Sequence, residues 1–232
     1  MGSSQQQLSL EVQLRDDATL DNFLASATVQ PLIHALQRQL QPAGEDLIFL
    51  HGVTGSGKSH LLQASCHLAA ANALYLPLAD LGTYAPEEVL HGVETLSLVC
   101  LDDVDSVLGD ENWELALFNL YNRALQHQCK LLLAGNAAPR ALAVELPDLR
   151  SRLSWGIVYQ LPQASDEEKA AILSFRAARR GLQLSAEVAN YVVSRAPRAM
   201  QQLLELLDTL DKTSLAEQRA LSIPFVKQTL GW

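Results

Sequence analysis

The stretch Gly52-Val53-Thr54-Gly55-Ser56-Gly57-Lys58-Ser59 constrains this chain more than any other part of it. It reads G-x-x-x-x-G-K-S, the spacing of a phosphate-binding loop. Asp46-Leu47-Ile48-Phe49-Leu50-His51, just before it, is short, apolar and strand-like. From Lys58 through His60 to Ala71 the residues favour a helix. Strand, glycine loop, helix is the context in which backbone N–H groups point inward at phosphates, aided by the positive end of the helix dipole. Lys58 then reaches the terminal phosphates and the Ser59 hydroxyl ligates Mg²⁺. The competing reading, an ordinary glycine-rich turn, leaves the flanking strand and helix unexplained.

Such a loop needs a buried sheet, and the chain can supply one. Its 232 residues are 48% hydrophobic and 19% charged, enough for one large domain or a main domain plus a small one. The net charge of −9 argues against duplex DNA as a direct partner, because phosphate contacts need clustered Lys and Arg. Cys66, Cys100 and Cys129 are odd in number and sit in apolar segments, as reduced core cysteines of a cytoplasmic protein do. No apolar run approaches the ~18 residues of a membrane span, and no signal-peptide core is present.

Along the chain, residues 1–15 show no helical period and are expected to form a mobile tail. Gln7-Leu8-Ser9-Leu10 within it has the form of a short motif that docks extended into a partner's groove, or of plain tail. Residues 16–162 read as an α/β core. Pro31 opens a helix carrying Leu32, Leu36 and Leu40. Ala73 to Leu78 is a second strand whose Pro77 puts it at an edge or ends it. Leu98-Val99-Cys100-Leu101 ends in Asp102 and Asp103. A buried strand of this kind delivers Asp102 to the metal side of the phosphates and sets Asp103 to polarise a water. Glu111 to Gln126 is a helix with an aromatic stripe, Trp113 to Tyr121, that reads as core. Lys130 to Asn136 is another strand; Asn136 fits both a residue touching the attacking water or γ-phosphate and a turn former ahead of Pro139. A short polar turn follows with Arg150 and Arg152, either solvated or an arginine finger aimed at a neighbour's phosphate. After the strand Ile157 to Leu161, residues 163–232 form a helical lid with starts at Ser165, Ser185, Pro197 and Pro224, and Arg198 heads its third helix.

The order of these features resembles the DnaA/Hda family of AAA+ proteins over roughly residues 16–212. Asp21-Asn22-Phe23, the phosphate loop, Asp102-Asp103, Asn136, Ser151-Arg152-Leu153 with Trp155-Gly156, and Arg198 all stand where that family's motifs stand. The segment Asp110 to Arg123 and the ending Ile223-Pro224-Phe225-Val226-Lys227 match its regulatory branch, which switches the initiator DnaA off. Nothing after residue 212 is long or basic enough for a helix-turn-helix DNA reader. The resemblance implies an AAA+ P-loop core with a five-stranded parallel sheet and a small helical lid. Asp21 to Phe23 line the base pocket of a bound ADP or ATP, Asn136 takes the sensor role, and Arg198 takes the lid-arginine role. It further implies that Gln7 to Leu10 dock on the DNA polymerase sliding clamp, although Glu11 stands where the family has Pro or an aromatic. Arg152 is then the finger presented to DnaA-bound ATP, and Arg150 is the weaker candidate. The chain's own turnover needs a neighbour's finger, which makes a homodimer one arrangement to test. Two alternatives remain at this stage: a helicase-loader-type AAA+ ATPase acting through its own ATP cycle and, more distantly, a small-molecule P-loop kinase.

Overall fold

The computed structural model describes residues 14–232. The motif at Gln7 to Leu10 lies outside the described residues. The chain forms two compact units, one ending at Leu161 and the other spanning Pro162–Trp232.

Five strands build the first unit: β1 (Leu47–His51), β2 (Ala73–Pro77), β3 (Leu98–Asp102), β4 (Lys130–Gly135) and β5 (Ile157–Gln160). All pair in parallel, in the order β2-β3-β4-β1-β5. The unbroken apolar runs of β1, β3 and β4 suit strands covered on both faces, and these three are interior. Pro77 ends β2 at one edge of the sheet, as its missing N–H requires. At the other edge β5 leaves Ile157 and Val158 exposed.

Period-two alternation divides the sheet between two cores. Ile48, Leu50, Cys100 and Leu132 face α1 (Gln30–Gln39) and α2 (Lys58–Ala69), whose Leu32, Leu36, Leu61 and Leu62 join them. Phe49, Leu101, Leu131 and Leu133 face the opposite layer. That layer holds two short helices, α3 (Leu78–Leu81) and α4 (Pro86–Val89), then α5 (Glu111–His127) and α6 (Pro147–Leu153). The aromatic stripe of α5 is core at Trp113, Leu117 and Leu120. Cys66, Cys100 and Cys129 are buried free thiols.

In the second unit Ser165 and Glu168 form a capping box that starts α7 (Asp166–Arg179). Helices α8 (Ala186–Arg195), α9 (Met200–Glu217) and α10 (Ile223–Leu230) follow, around Leu173, Val192, Leu203, Leu207 and Phe225. Among the described residues no helix is long and apolar enough to cross a membrane.

Two segments differ from the reading of the sequence. Arg150 and Arg152 stand in a helix, α6, and not in a polar turn. Pro147 at its first position, Asp148 in its first turn and both arginines in its last turn complement the helix dipole. The last two residues of the expected tail are tied down: Leu14 packs on the α1–α2 core and the Arg15 N–H donates to Gln63 Oε1 at 2.9 Å.

What holds α6 in place is a carboxylate on α5. Glu114 is buried and accepts from the backbone N–H groups of Gly109 (2.9 Å), Glu145 (3.0 Å) and Leu146 (2.6 Å). Burial alone would raise its pKa, but these donors and the nearby Arg150 reverse that and hold it below the ordinary 4.5. A carboxylate depressed in this way stabilises the fold fully above its unfolded value, and the contribution is lost as pH falls through the lower folded one. Glu114→Ala should cost about 3 kcal/mol in denaturant unfolding, because three backbone donors lose a buried, charged acceptor. Glu114→Gln should flatten the loss of stability between about pH 5 and pH 3; an unchanged acid limb would refute the linkage.

Candidate phosphate site and arginine shelf

At the carboxyl end of β1 the loop 52–59 turns into α2. Gly55 and Gly57 have φ of 80° and 102°, values that L side chains rarely adopt. Gly52 is required for a different reason: a Cβ there would stand 2.4 Å from the Leu161 carbonyl oxygen. Val53, Thr54 and Ser59 are exposed. The Ser56 hydroxyl is buried with no hydrogen-bond partner. Lys58 is only 5% exposed, and its ammonium donates to the carbonyls of Gly52 (2.8 Å) and Val53 (3.3 Å) and to Asn136 Oδ1 (3.3 Å). Burial, and then the same ammonium, hold the pKa of His51, the last residue of β1, below 6.5.

The strand ends beside β1 bring their polar residues to this point. Asn136, just past β4, is fixed by Asp105: its N–H donates to Oδ1 at 3.0 Å and its Nδ2 to Oδ2 at 2.8 Å. With the amide nitrogen turned to Asp105, Oδ1 faces Lys58. Asp102 is 1% exposed and accepts from Tyr75 Oη at 2.7 Å and from the Asp103 N–H at 3.0 Å. Burial and that carboxylate raise the Tyr75 pKa, while Gln63 and Ser59 act the other way. Ser59 and Asp102, the two expected metal ligands, thus meet around one phenol. Among the described residues no group of three or more His, Cys, Asp and Glu forms a metal cluster.

Asp103 has a left-handed backbone, φ 51°, and is half-buried. Burial raises its pKa, with Asp102 and Asp105 adding to the effect and Lys58 opposing it. Asp21 and Asn22 lie in a 3₁₀ turn, Leu20–Asn22, that leads to Phe23. The Phe23 ring touches the Cα of Gly57 so closely that a Cβ there would be 2.9 Å away, and lies 5.6 Å from the His60 ring. His60 Nε2 in turn meets the Thr19 carbonyl at 2.8 Å. Residues 19–23 are thereby folded over the start of α2. An orphaned hydroxyl, a lysine bonded only to loop and amide oxygens, and an open glycine turn fit a polyphosphate. Lys58 and the loop N–H groups would hold it, with Ser59 and Asp102 on its Mg²⁺.

Arg152 is elsewhere. Gly156 lies against Leu47, where a Cβ would be 2.3 Å from the Leu47 carbonyl oxygen. The end of α6 is therefore at the amino end of β1, and the loop is at its carboxyl end, about 13 Å away by strand rise. The guanidinium carbon of Arg152 lies over the rings of Trp155, at 4.4 Å, and Tyr121, at 5.4 Å. Arg150 instead donates to the Val144 carbonyl. In the second unit Arg198 is exposed between α8 and α9.

Tyr75, Asp105 and Glu114 were not singled out from the sequence. Tyr75 was accessible to period two, since it pairs with Cys100 and therefore shares the face of Asp102 two residues on. The bonds made by Asp105 and Glu114 span 31 and 32 residues and have no local signature.

Comparison with known proteins agrees with this architecture. The sequence profile described as "Hda, lid domain" matches residues 166–230. A protein of Haemophilus influenzae, itself uncharacterized, is 43% identical over 229 residues, spanning 97% of this chain and 98% of its own. Domain III of the Thermotoga maritima replication initiation protein DnaA superposes with a TM-score of 0.77 at 21% identity, over 94% of this chain and 98% of that one. AMPPCP-bound DnaA from Aquifex aeolicus gives 0.71 at 22% identity, over 85% and 66%. The fold is that of an AAA+ P-loop protein carrying a helical lid. The chain is thus an Hda/DnaA-related AAA+ protein, with an Hda-type lid at residues 166–230.

The three clustered carboxylates give a direct test. A carboxylate whose folded pKa is raised leaves stability highest at low pH and erodes it as pH rises from the unfolded value, 3.8, through the folded one. Asp105→Asn should lower the Asp103 pKa in a carboxyl-carbon NMR titration and reduce that erosion. No movement of Asp103 would mean that the two carboxylates are not coupled.

Proposed function

We propose that this protein holds ADP or ATP with Mg²⁺ in the loop 52–59 and, docked on the sliding clamp, supplies Arg152 to ATP bound by the initiator DnaA. Hydrolysis in the initiator is the outcome, and replication initiation is held off. The observation that supports the reading is that Gly156, four residues after Arg152, lies against Leu47 at the amino end of β1, about 13 Å of strand rise from the end that carries the chain's own phosphate loop. An arginine there serves another molecule's nucleotide better than its own.

In this reading Gly52 to His60 bind the nucleotide, Asp21, Asn22 and Phe23 lie along its base, and Arg198 acts from the lid. Asn136 takes the sensor position and Asp103 the water-polarising one. The bound nucleotide supplies the phosphate charge that Lys58 and the loop N–H groups neutralise. Lys58 would exchange its carbonyl acceptors for phosphate oxygens. Gln7, Leu8, Ser9 and Leu10 are the clamp motif, and a homodimer is the arrangement in which this chain's own site would meet a finger. The cytoplasm is the compartment where such partners work. A helicase-loader reading would need a basic single-strand track, which the net charge of −9 disfavours.

The deciding experiment adds the protein with DNA-loaded clamp to DnaA–ATP and follows conversion to ADP. Arginine fingers contribute about 10³–10⁵ in rate in GTPases, so Arg152→Ala should abolish the stimulation while the protein still folds and binds nucleotide. Full stimulation by that variant would refute the assignment. Deleting residues 1–12 should remove clamp binding in a pull-down and leave nucleotide affinity intact; retained clamp binding would refute the docking motif.

A further inference from the structure

The side chain of Arg152 is held in an unusual manner. Its guanidinium carbon lies 4.4 Å from the centre of the Trp155 ring and 5.4 Å from that of Tyr121. Among the described residues it takes part in no ion pair. Tyr121 is buried, whereas Trp155 is 65% exposed. A large aromatic so far out of the core contributes little to packing. What it offers is a face, and the arginine lies over it.

Holding an arginine by ring faces differs from holding it by a carboxylate. A carboxylate occupies the N–H donors in a two-pronged pair. A ring attracts the cation through its quadrupole and leaves the donors at the guanidinium's edge free. Arg152 is thus restrained with its hydrogen-bonding capacity unspent, the state required of a group that must meet an anion from another molecule without first ordering itself. Gly156 completes the arrangement by letting the chain after Trp155 lie directly on Leu47, so the shelf is fixed to the amino end of β1.

We infer that Trp155, backed by Tyr121, is the positioning residue for Arg152, keeping its guanidinium ordered and unpaired for an anionic phosphate group of a partner nucleotide. This rests on the reading of Arg152 as the group supplied in trans. Trp155 acts through the arginine and need not touch the nucleotide itself.

The test uses the full chain with DNA-loaded clamp and DnaA–ATP, measuring hydrolysis against protein concentration. An exposed cation–π contact corresponds to about 2- to 5-fold in a rate. Trp155→Leu should lower the saturating rate by about that factor and leave the half-saturating concentration unchanged. Trp155→Phe, which keeps a face, should restore most of it. In an Arg152→Lys background, where no planar guanidinium remains, Trp155→Leu should cost less. The Arg152 δ-methylene protons should be ring-current shifted in the NMR spectrum of the native protein and lose that shift in Trp155→Leu. Loss of the shift with an unchanged hydrolysis rate would overturn the proposal. So would an equal cost of Trp155→Leu in the Arg152→Lys background, or a change confined to the half-saturating concentration, since either would make Trp155 a partner contact in its own right. Undiminished stimulation by Arg152→Ala would instead overturn the finger reading beneath it, whatever Trp155→Leu does.

Discussion

The pairing of β1 with β5 is bracketed by two close approaches that only glycine permits. At the amino end Gly156 lies against Leu47, and at the carboxyl end Gly52 lies against Leu161; a Cβ at either would fall within about 2.4 Å of a backbone oxygen. Backbone cannot yield at such a distance as a flexible side chain can. The first glycine of the phosphate loop is therefore demanded by the sheet as much as by any ligand. Gly57 is different, because the atom it would meet belongs to the Phe23 ring, which can move; its φ of 102° is what excludes other residues.

From this clasp follow two working ends on one strand. At the carboxyl end, parallel pairing brings the ends of β1, β3 and β4 together, with the turn after β3, and with them Lys58, Asp102, Asp103, Asp105 and Asn136. One ammonium there faces three carboxylates, and the pKa of Asp103 is raised by burial first, with its carboxylate neighbours adding to it. A polyphosphate alone would deepen the imbalance of charge, and a divalent cation bound with the polyphosphate would offset it. At the amino end the same clasp sets the end of α6, and with it Arg152, on the far side of the sheet.

Much of this was legible in the sequence. The loop, the four apolar strand runs and the capped helix at Ser165 carry local signals: glycine spacing, hydrophobic period and capping chemistry. The parallel sheet follows from them, because strands alternating with helices have few other ways to bury both faces. What could not be read were side chains that act at a distance. Asp105 locks Asn136 across 31 residues, and Glu114 collects N–H groups from two separate loops. An acidic residue in an amphipathic helix gives no hint that it faces inward. The α6 segment reads as a turn because seven residues are too few for a hydrophobic period to register, and Pro147 reads equally well as a breaker or a first-turn residue.

Glu114 shows how one buried carboxylate anchors α6. Its carboxylate fixes Glu145 and Leu146, the residues that lead into α6, and its charge lies near Arg150. Arg150 turns back to the Val144 carbonyl, so one of the two arginines in the last turn is consumed in anchoring the helix. The other, two residues on, points away from that anchor and finds only rings. Two arginines placed two apart on a helix lie about 200° from each other around its axis. One spacing thus divides the pair into an arginine that anchors the helix and one that lies over ring faces, while Glu114 fixes the residues that lead into α6.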